Sequence, residues 1–338
     1  MKPRNIIPPL ISGVLLTLAF PTASLWPLAY VGLVPLLLWL RDKGYRAAFA
    51  GGTLTGMVFY ALTFSWFLSL TYWVGPIVIA GVTLLFFSFS LFWGLIAVSQ
   101  RFFERRAPAA SVVGLPALWV LMEYVHNHIF TGFGWGSLGY TQWNNLPVAQ
   151  LASVGSVYIV SFYVVLINVL ICFLYWNRKD RRRALSAGIA IALLAIVVPL
   201  WGKARMGKPD MASSLRVGVI QPNFSLDVKW SYEYAGHMLG VQERLTELAV
   251  AKGAELVVWP ESAIYAGLSE DFGRIAEMVR SKRIYLLVGS ERYEAGEASD
   301  DEGRYYNSSY LISPDARILG SYDKRHLAPF GEYVPLQS

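Results

Sequence analysis

Between residues 6 and 202 apolar side chains run almost without a break, and the polar interruptions are short. From Ala47 to Gln100 there is no Asp, Glu, Lys or Arg, and from Ala107 to Asn177 the only one is Glu123. At about 20 residues per bilayer crossing, this pattern predicts helices near 6–20, 26–40, 49–70, 76–100, 112–128, 157–176 and 184–202. The first two are short, and Pro21 and Pro27 bracket their turn, so the expectation is a tight hairpin or two unusually tilted helices. Past Pro209 the pattern changes to short β-rich runs separated by charged, helix-like segments, the signature of a globular α/β unit. Strands are expected at 215–220, 256–259 and 284–288, and helices at 232–251 and 272–282. Residues 305–312 and 317–322 flank a Ser313-Pro314-Asp315-Ala316 turn and read as a hairpin. Residues 294–303 have no apolar period and read as a loop. The predicted organisation is a multi-pass α-helical membrane domain over 1–208, with seven helices, followed by an α/β domain over 209–338.

Composition sharpens this picture. The chain is 55% hydrophobic and only 15% charged, outside the ordinary range of soluble domains. The excess of 29 Lys and Arg over 23 Asp and Glu does not indicate nucleic acid, because the positive residues cluster in short connections between apolar runs rather than along one polar face. Those connections alternate. Lys2 and Arg4, then Arg41, Lys43 and Arg46, then Arg101, Arg105 and Arg106, then Arg178 to Arg183 are basic, whereas the connections near 21–25, 71–75 and 129–156 carry no Lys or Arg. Because basic loops are retained in the cytoplasm, seven crossings would put the N-terminus inside and everything after about residue 203 outside, in a bacterium the periplasm. Lys2 and Arg4 ahead of an apolar run imitate a signal peptide, but further membrane-length runs follow, so a retained anchor is expected. The single cysteine, Cys172, excludes an internal disulfide framework.

Several membrane-half residues carry candidate chemistry. Gly52-Thr53-Leu54-Thr55-Gly56 fits a close helix-packing motif. Glu123 is a carboxylate inside a membrane segment, where ionisable groups face a cavity or a partner. His126 shares its helical face, and two readings stay open, a lining of the substrate path and a structural pair. The stretch from Thr131 to Gly155 is too rich in glycine, aromatics and amides for one helix. Trp135 and Trp143 in it suit the bilayer interface, as plain anchors or as the lining of a lipid access route.

In the α/β half, Pro260 cannot donate to a ladder and so ends its strand, delivering Glu261 to the C-terminal rim, where α/β sheets bind ligands. Lys324 closes another apolar run. A carboxylate base and a fixed ammonium suit thiol-based acyl transfer: the base takes the thiol proton and the ammonium stabilises the developing oxyanion. There is no G-x-S-x-G elbow and no P-loop, and the four histidines, His126, His128, His237 and His326, lack zinc spacing.

The run Val257-Val258-Trp259-Pro260-Glu261-Ser262, together with Tyr322 to Pro335, resembles the carbon-nitrogen hydrolase (nitrilase-like) superfamily. With Leu118 to Glu123, Thr131 to Trp135, Leu138-Gly139-Tyr140 and Gln150 to Gly155, it resembles the membrane-embedded apolipoprotein N-acyltransferase branch. The resemblance covers essentially the whole chain. It implies a partial αββα-sandwich domain, Glu261 as general base, Lys324 as oxyanion stabiliser and Glu332 as a second essential glutamate. Trp230 and Asn307 fall at substrate-side positions. It implies a phospholipid acyl donor, a diacylglyceryl apolipoprotein acceptor, a bacterial inner-membrane location with the catalytic domain on the periplasmic side, and no cofactor. The family's nucleophile is a cysteine further along than Ser338, so this chain is expected to be truncated before it and inactive alone. Cys172, buried in an apolar helix, is not expected to substitute. A membrane-anchored amidase and a lipid-binding remnant are the alternatives.

Overall fold

The computed structural model describes residues 6–129, 132–207, 214–264, 267–294, 304–327 and 332. Thr131, most of the 294–303 loop, and Ala328 to Gly331 and Tyr333 to Pro335 of the motif lie outside them. The chain divides into two compact units, Met1–Lys208 and Pro209–Ser338.

Unit 1 is helical: α1 (Ile7–Ala19), α2 (Val34–Leu40), α3 (Tyr45–Thr63), α4 (Thr71–Val74), α5 (Ile77–Arg106), α6 (Ser111–His128), α7 (Leu146–Ala149), α8 (Ala152–Trp176) and α9 (Arg181–Arg205). A helix occupies each of the seven positions expected from the apolar runs. Among the described residues, α5, α8 and α9 are the three long and apolar enough to cross a bilayer. The run expected to be helical over 49–70 stops at Thr63 and continues as a 3-10 turn from Ser65 to Leu70. Helix α8 starts earlier than predicted, but Gly155 and Ser156 break its regular geometry, so the unbroken part begins at Val157.

Small residues allow a close helix contact. A Cβ on Gly52 would lie 2.4 Å from the Trp93 carbonyl oxygen, and one on Gly56 would lie 3.0 Å from the Ser90 Cα, so α3 and α5 meet backbone to backbone as the GxxxG pattern implies. Phe59, Trp93, Leu115, Trp119, Val164 and Val165 fill the core beside this contact. By contrast α9 turns Leu185, Leu193, Ile196 and Leu200 outward, each more than half exposed. An apolar face of that kind suits hydrocarbon rather than water. The three basic connections internal to the unit gather at one end: Arg101 Nε donates to the Lys43 carbonyl at 3.0 Å, Arg41 lies over the Trp176 ring at 5.3 Å, and Arg105 over Tyr45 at 5.2 Å.

Unit 2 contains β1 (Val217–Val219), α10 (Leu226–Lys229), α11 (Ala235–Ala251), β2 (Leu256–Val258), α12 (Leu268–Lys282), β3 (Tyr285–Glu294), β4 (Arg304–Ile312) and β5 (Ile318–Asp323). They form one sheet in the order β1-β2-β3-β4-β5. The first three strands are parallel, with α11 and α12 in the two crossovers, and β3, β4 and β5 run antiparallel. The interior strands are apolar where helices cover them: Val257, Leu286, Val288 and Ile312 pack with Ile275 and Val279 of α12. Strand β3 runs six residues past the predicted end at Val288, because its polar continuation pairs with β4 as far as Glu294 and Arg304. The expected αββα sandwich is represented here by this single sheet and its helices.

Candidate active site

The chain leaves the sheet after β2 and returns at once. Trp259 N still donates to Leu287 O, Ala263 N donates to Gly289 O, and Ile264 bridges Ser290. Between them Pro260, Glu261 and Ser262 arch over β3, with Ser262 at φ 47°. The arch is possible because position 289 has no side chain: a Cβ there would lie 2.5 Å from Pro260 O and 2.8 Å from Glu261 Cα. A glycine inside a strand marks such an approach, a signal present in the sequence but not used.

The hairpin delivers the partners. Ser308 pairs with Asp323, so the next residues, Asn307 and Lys324, are also opposite, and Lys324 N donates to Asn307 O at 2.8 Å. Successive strand residues face opposite ways, and contacts follow this rule. Lys324 Nζ donates to Glu261 Oε1 at 3.0 Å and to Glu332 Oε1 at 2.9 Å. Asn307 Nδ2 donates to the same two oxygens, at 2.5 and 2.8 Å. One ammonium and one amide thus bridge two carboxylates in a closed four-cornered arrangement.

Electrostatics follow. Hydrogen bonds from Lys324 and then Asn307 hold the Glu261 carboxyl below the ordinary carboxylate range. The hydrogen bond to Glu332 raises the Lys324 ammonium, opposed by partial burial and assisted by Glu261. At neutral pH Glu261 is therefore ionised and Lys324 protonated, the states a base and an oxyanion stabiliser require. The Glu261 side chain is 60% exposed, which leaves its carboxylate open to a reacting group.

Of the other predicted residues, Trp230 is reached indirectly. Lys229 Nζ donates to the main-chain oxygen of Glu261 at 3.1 Å and lies 5.5 Å from the centroid of the half-exposed Trp230 ring. Lys229 was missed by sequence reasoning, and its only signal was its position beside Trp230. Glu123 and Trp135 belong to unit 1. There Glu123 Oε1 accepts from Trp119 Nε1 at 2.9 Å and from the Leu138 amide at 2.8 Å, tying α6 to the segment that carries Trp135. His126 lies between the rings of Phe89 and Phe92, each 4.7 Å away by centroid, so Glu123 bonds to Trp119 and Leu138 rather than to His126. Trp135 is 56% exposed and meets Trp66, Phe67 and Phe133 in tilted ring contacts.

Residues 12–170 match the apolipoprotein N-acyltransferase N-terminal domain family, and residues 216–338 match the carbon-nitrogen hydrolase family. The chain thus carries a match to the N-terminal domain of apolipoprotein N-acyltransferase followed by a match to a carbon-nitrogen hydrolase domain. Curated relatives named apolipoprotein N-acyltransferase are similar over nearly all of this chain. The protein from Geobacter metallireducens is 34% identical over 98% of this chain and 65% of its own length. That from Chlorobaculum tepidum is 31% identical over 97% and 64%, and that from Pseudomonas syringae pv. tomato 32% identical over 99% and 66%. The chain thus spans about 65% of the length of these relatives. The family is one of membrane-associated acyltransferases, and the apolar helices of unit 1 and the sheet of unit 2 correspond to its two domains.

Proposed function

We propose that this site transfers an acyl chain from a phospholipid to the α-amino group of the diacylglyceryl-cysteine that begins an apolipoprotein, by way of a thioester. The observation that carries the reading is the single ammonium of Lys324 shared between Glu261 and Glu332. Glu261 accepts the proton of the cysteine thiol that the family resemblance implies, which is not Cys172, and the thiolate attacks the ester carbonyl of the phospholipid. Lys324 turns from Glu261 toward the oxygen on which negative charge develops, a kind of contact worth about 3 kcal/mol in comparable sites. As that contact loosens, the basicity of Glu261 rises, so base and electrostatic stabiliser are coupled. Collapse of the tetrahedral adduct breaks the ester C–O bond, and the proton held by Glu261 passes to the departing oxygen, releasing lysophospholipid. The acceptor amine then attacks the thioester and gives a proton to Glu261, the C–S bond breaks, and the thiol is regenerated. Glu332 keeps Lys324 in the site throughout, and Asn307 holds the two carboxylates apart.

Cys172 takes no part in this scheme: it is fully buried in α8, with Sγ 4.0 Å from the Val34 carbonyl. Both substrates carry acyl chains, which suits a chain that also carries the apolar helices of unit 1. The setting proposed is a bacterial inner membrane with unit 2 on the periplasmic side.

The test uses the full-length protein with a phospholipid labelled in its acyl chain. Wild type should form an acyl thioester and pass the label to a lipopeptide amine, whereas Glu261→Gln should form no thioester, because amide nitrogen and oxygen cannot take the thiol proton. Normal thioester accumulation in that variant removes Glu261 from the role, and label released only to water favours hydrolysis over transfer.

A further inference from the structure

The face of the hairpin opposite the candidate site carries a second polar assembly. Arg292 of β3 pairs in register with Tyr306 of β4, and its guanidinium lies 4.1 Å from that ring's centroid. It reaches across β4 to β5, where Nη2 donates to Asp323 Oδ2 at 2.8 Å and Nε to Oδ1 at 3.3 Å. Ser308 Oγ donates to Asp323 Oδ1 at 2.6 Å, from a residue only 3% exposed. Arg292 also meets Glu294 at 3.4 Å. Hydrogen bonds from Arg292 first and Ser308 second hold the Asp323 carboxyl below its ordinary range.

We propose that Arg292 and Asp323 are positioning residues, bolting the end of β5 through β4 to β3 and thereby fixing the point from which Lys324 reaches the two carboxylates. The adjacency is direct. Asn307 and Ser308 are neighbours on β4, Asp323 and Lys324 neighbours on β5, and each pair sends one side chain to the site and the other to the bolt. Apolar burial among the described residues does little to secure that end. Strand β5 has, among the described residues, a sheet neighbour on one side, its residues Ile318, Leu319 and Tyr322 are 48%, 55% and 57% exposed, and burial of so little apolar surface restrains it weakly. An isolated surface ion pair restrains little. This one differs in being forked, stacked on a ring and joined to a buried hydroxyl, which restricts direction as well as distance. Since a displacement of about 1 Å of a reacting group costs on the order of 100-fold in rate, holding this strand end matters more to chemistry than to the stability of the sheet.

The inference rests on the acyl-transfer reading only for its kinetic consequence, and its structural half can be read without it. The experiment uses the full-length protein in phosphatidylethanolamine–phosphatidylglycerol nanodiscs, comparing wild type with Arg292→Ala, Asp323→Asn and Arg292→Lys. Amide hydrogen exchange is followed at Lys324, whose N–H bonds to Asn307, and at Val257 and Leu286 in the interior strands. Loss of the bolt should speed exchange at Lys324 by roughly tenfold or more and leave the interior strands protected. Thioester formation should slow by on the order of 10- to 100-fold in kcat, with KM for phospholipid changed by less than about twofold. Arg292→Lys should recover part of both, since it restores the charge without the fork. Unchanged exchange at Lys324 overturns the proposal, and so does faster exchange across the whole sheet, which would make the pair a brace for the fold. So does a rise in KM with kcat intact. If wild type transfers no acyl group at all, the acyl-transfer reading falls, while the exchange result still decides the placement of Lys324.

Discussion

Each glutamate at the candidate site has one oxygen committed to both Lys324 and Asn307, and this arrangement fixes a pH window. Glu261 has a depressed folded-state value, so its ion pair is fully formed above the ordinary carboxylate value of about 4.3 and is lost as pH falls through the lower folded value. Lys324 has a raised one, so its contribution is present below about 10.4 and is lost as pH rises through the higher folded value. Protonation of this pair should therefore leave acyl transfer flat between about pH 5 and 10. Asn307→Asp should change that profile more than Asn307→Ala does. The aspartate places a third carboxylate against one ammonium, like charges push carboxyl values upward, and the acid limb of the rate should move toward neutrality. Asn307→Ala should lower the rate at every pH and move the limb in the same direction by less, because it removes one hydrogen bond that lowers Glu261 without adding a charge. Rate-against-pH curves for the three proteins check this, and coincident limbs for wild type and Asn307→Asp would remove Asn307 from the charge balance.

At the scale of elements, the arch of residues 260–262 depends on the bare backbone of β3. Gly289→Ala would drive a methyl into Pro260 O and Glu261 Cα, both main-chain atoms, so the arch has to lift. The expected result is a loss of thioester formation on the order of 100-fold, with thermal unfolding of the variant showing only a modest decrease. An active Gly289→Ala enzyme would mean that the arch tolerates displacement and that Glu261 is not held as tightly as its contacts suggest. Much of this was legible in the sequence. Pro260 marked the end of β2, and the turn at 313–316 marked the hairpin, because proline and turn chemistry act locally. What escaped were features set by partners distant in sequence. Strand β3 was ended at Val288 because the following Gly-Ser-Glu-Arg has no apolar alternation, yet those polar residues are satisfied across the sheet, Arg292 by Asp323 and the peptide groups by β4. The Glu261–Lys324 convergence came from family resemblance, and nothing in the local pattern could have located it across 63 positions.

For the whole molecule, the proposed topology turns on the direction in which α9 crosses. Its 25 residues span about 37 Å at 1.5 Å per residue, enough for a hydrocarbon core of about 30 Å. Charge at its two ends is less one-sided than elsewhere, since Arg178, Lys179, Arg181, Arg182 and Arg183 precede or open it and Lys203, Arg205 and Lys208 close or follow it. The structure supplies a second argument. The 41–46 and 101–106 connections, joined by Arg101 and Arg105, meet the end of α8 through Arg41 and Trp176, so the start of α9 shares an end of unit 1 with the other basic connections. A positive-inside arrangement then puts that end in the cytoplasm and the far end of α9 outside. Cysteines introduced at Lys179 and Ser214 of the full-length protein, with labelling resolved by peptide, test this in intact spheroplasts with an impermeant thiol reagent. Position 214 should label directly and position 179 only after permeabilisation. Labelling of both from outside would mean that α9 lies along the surface rather than through the bilayer, and the reverse pattern would place unit 2 in the cytoplasm, where the proposed periplasmic reading fails.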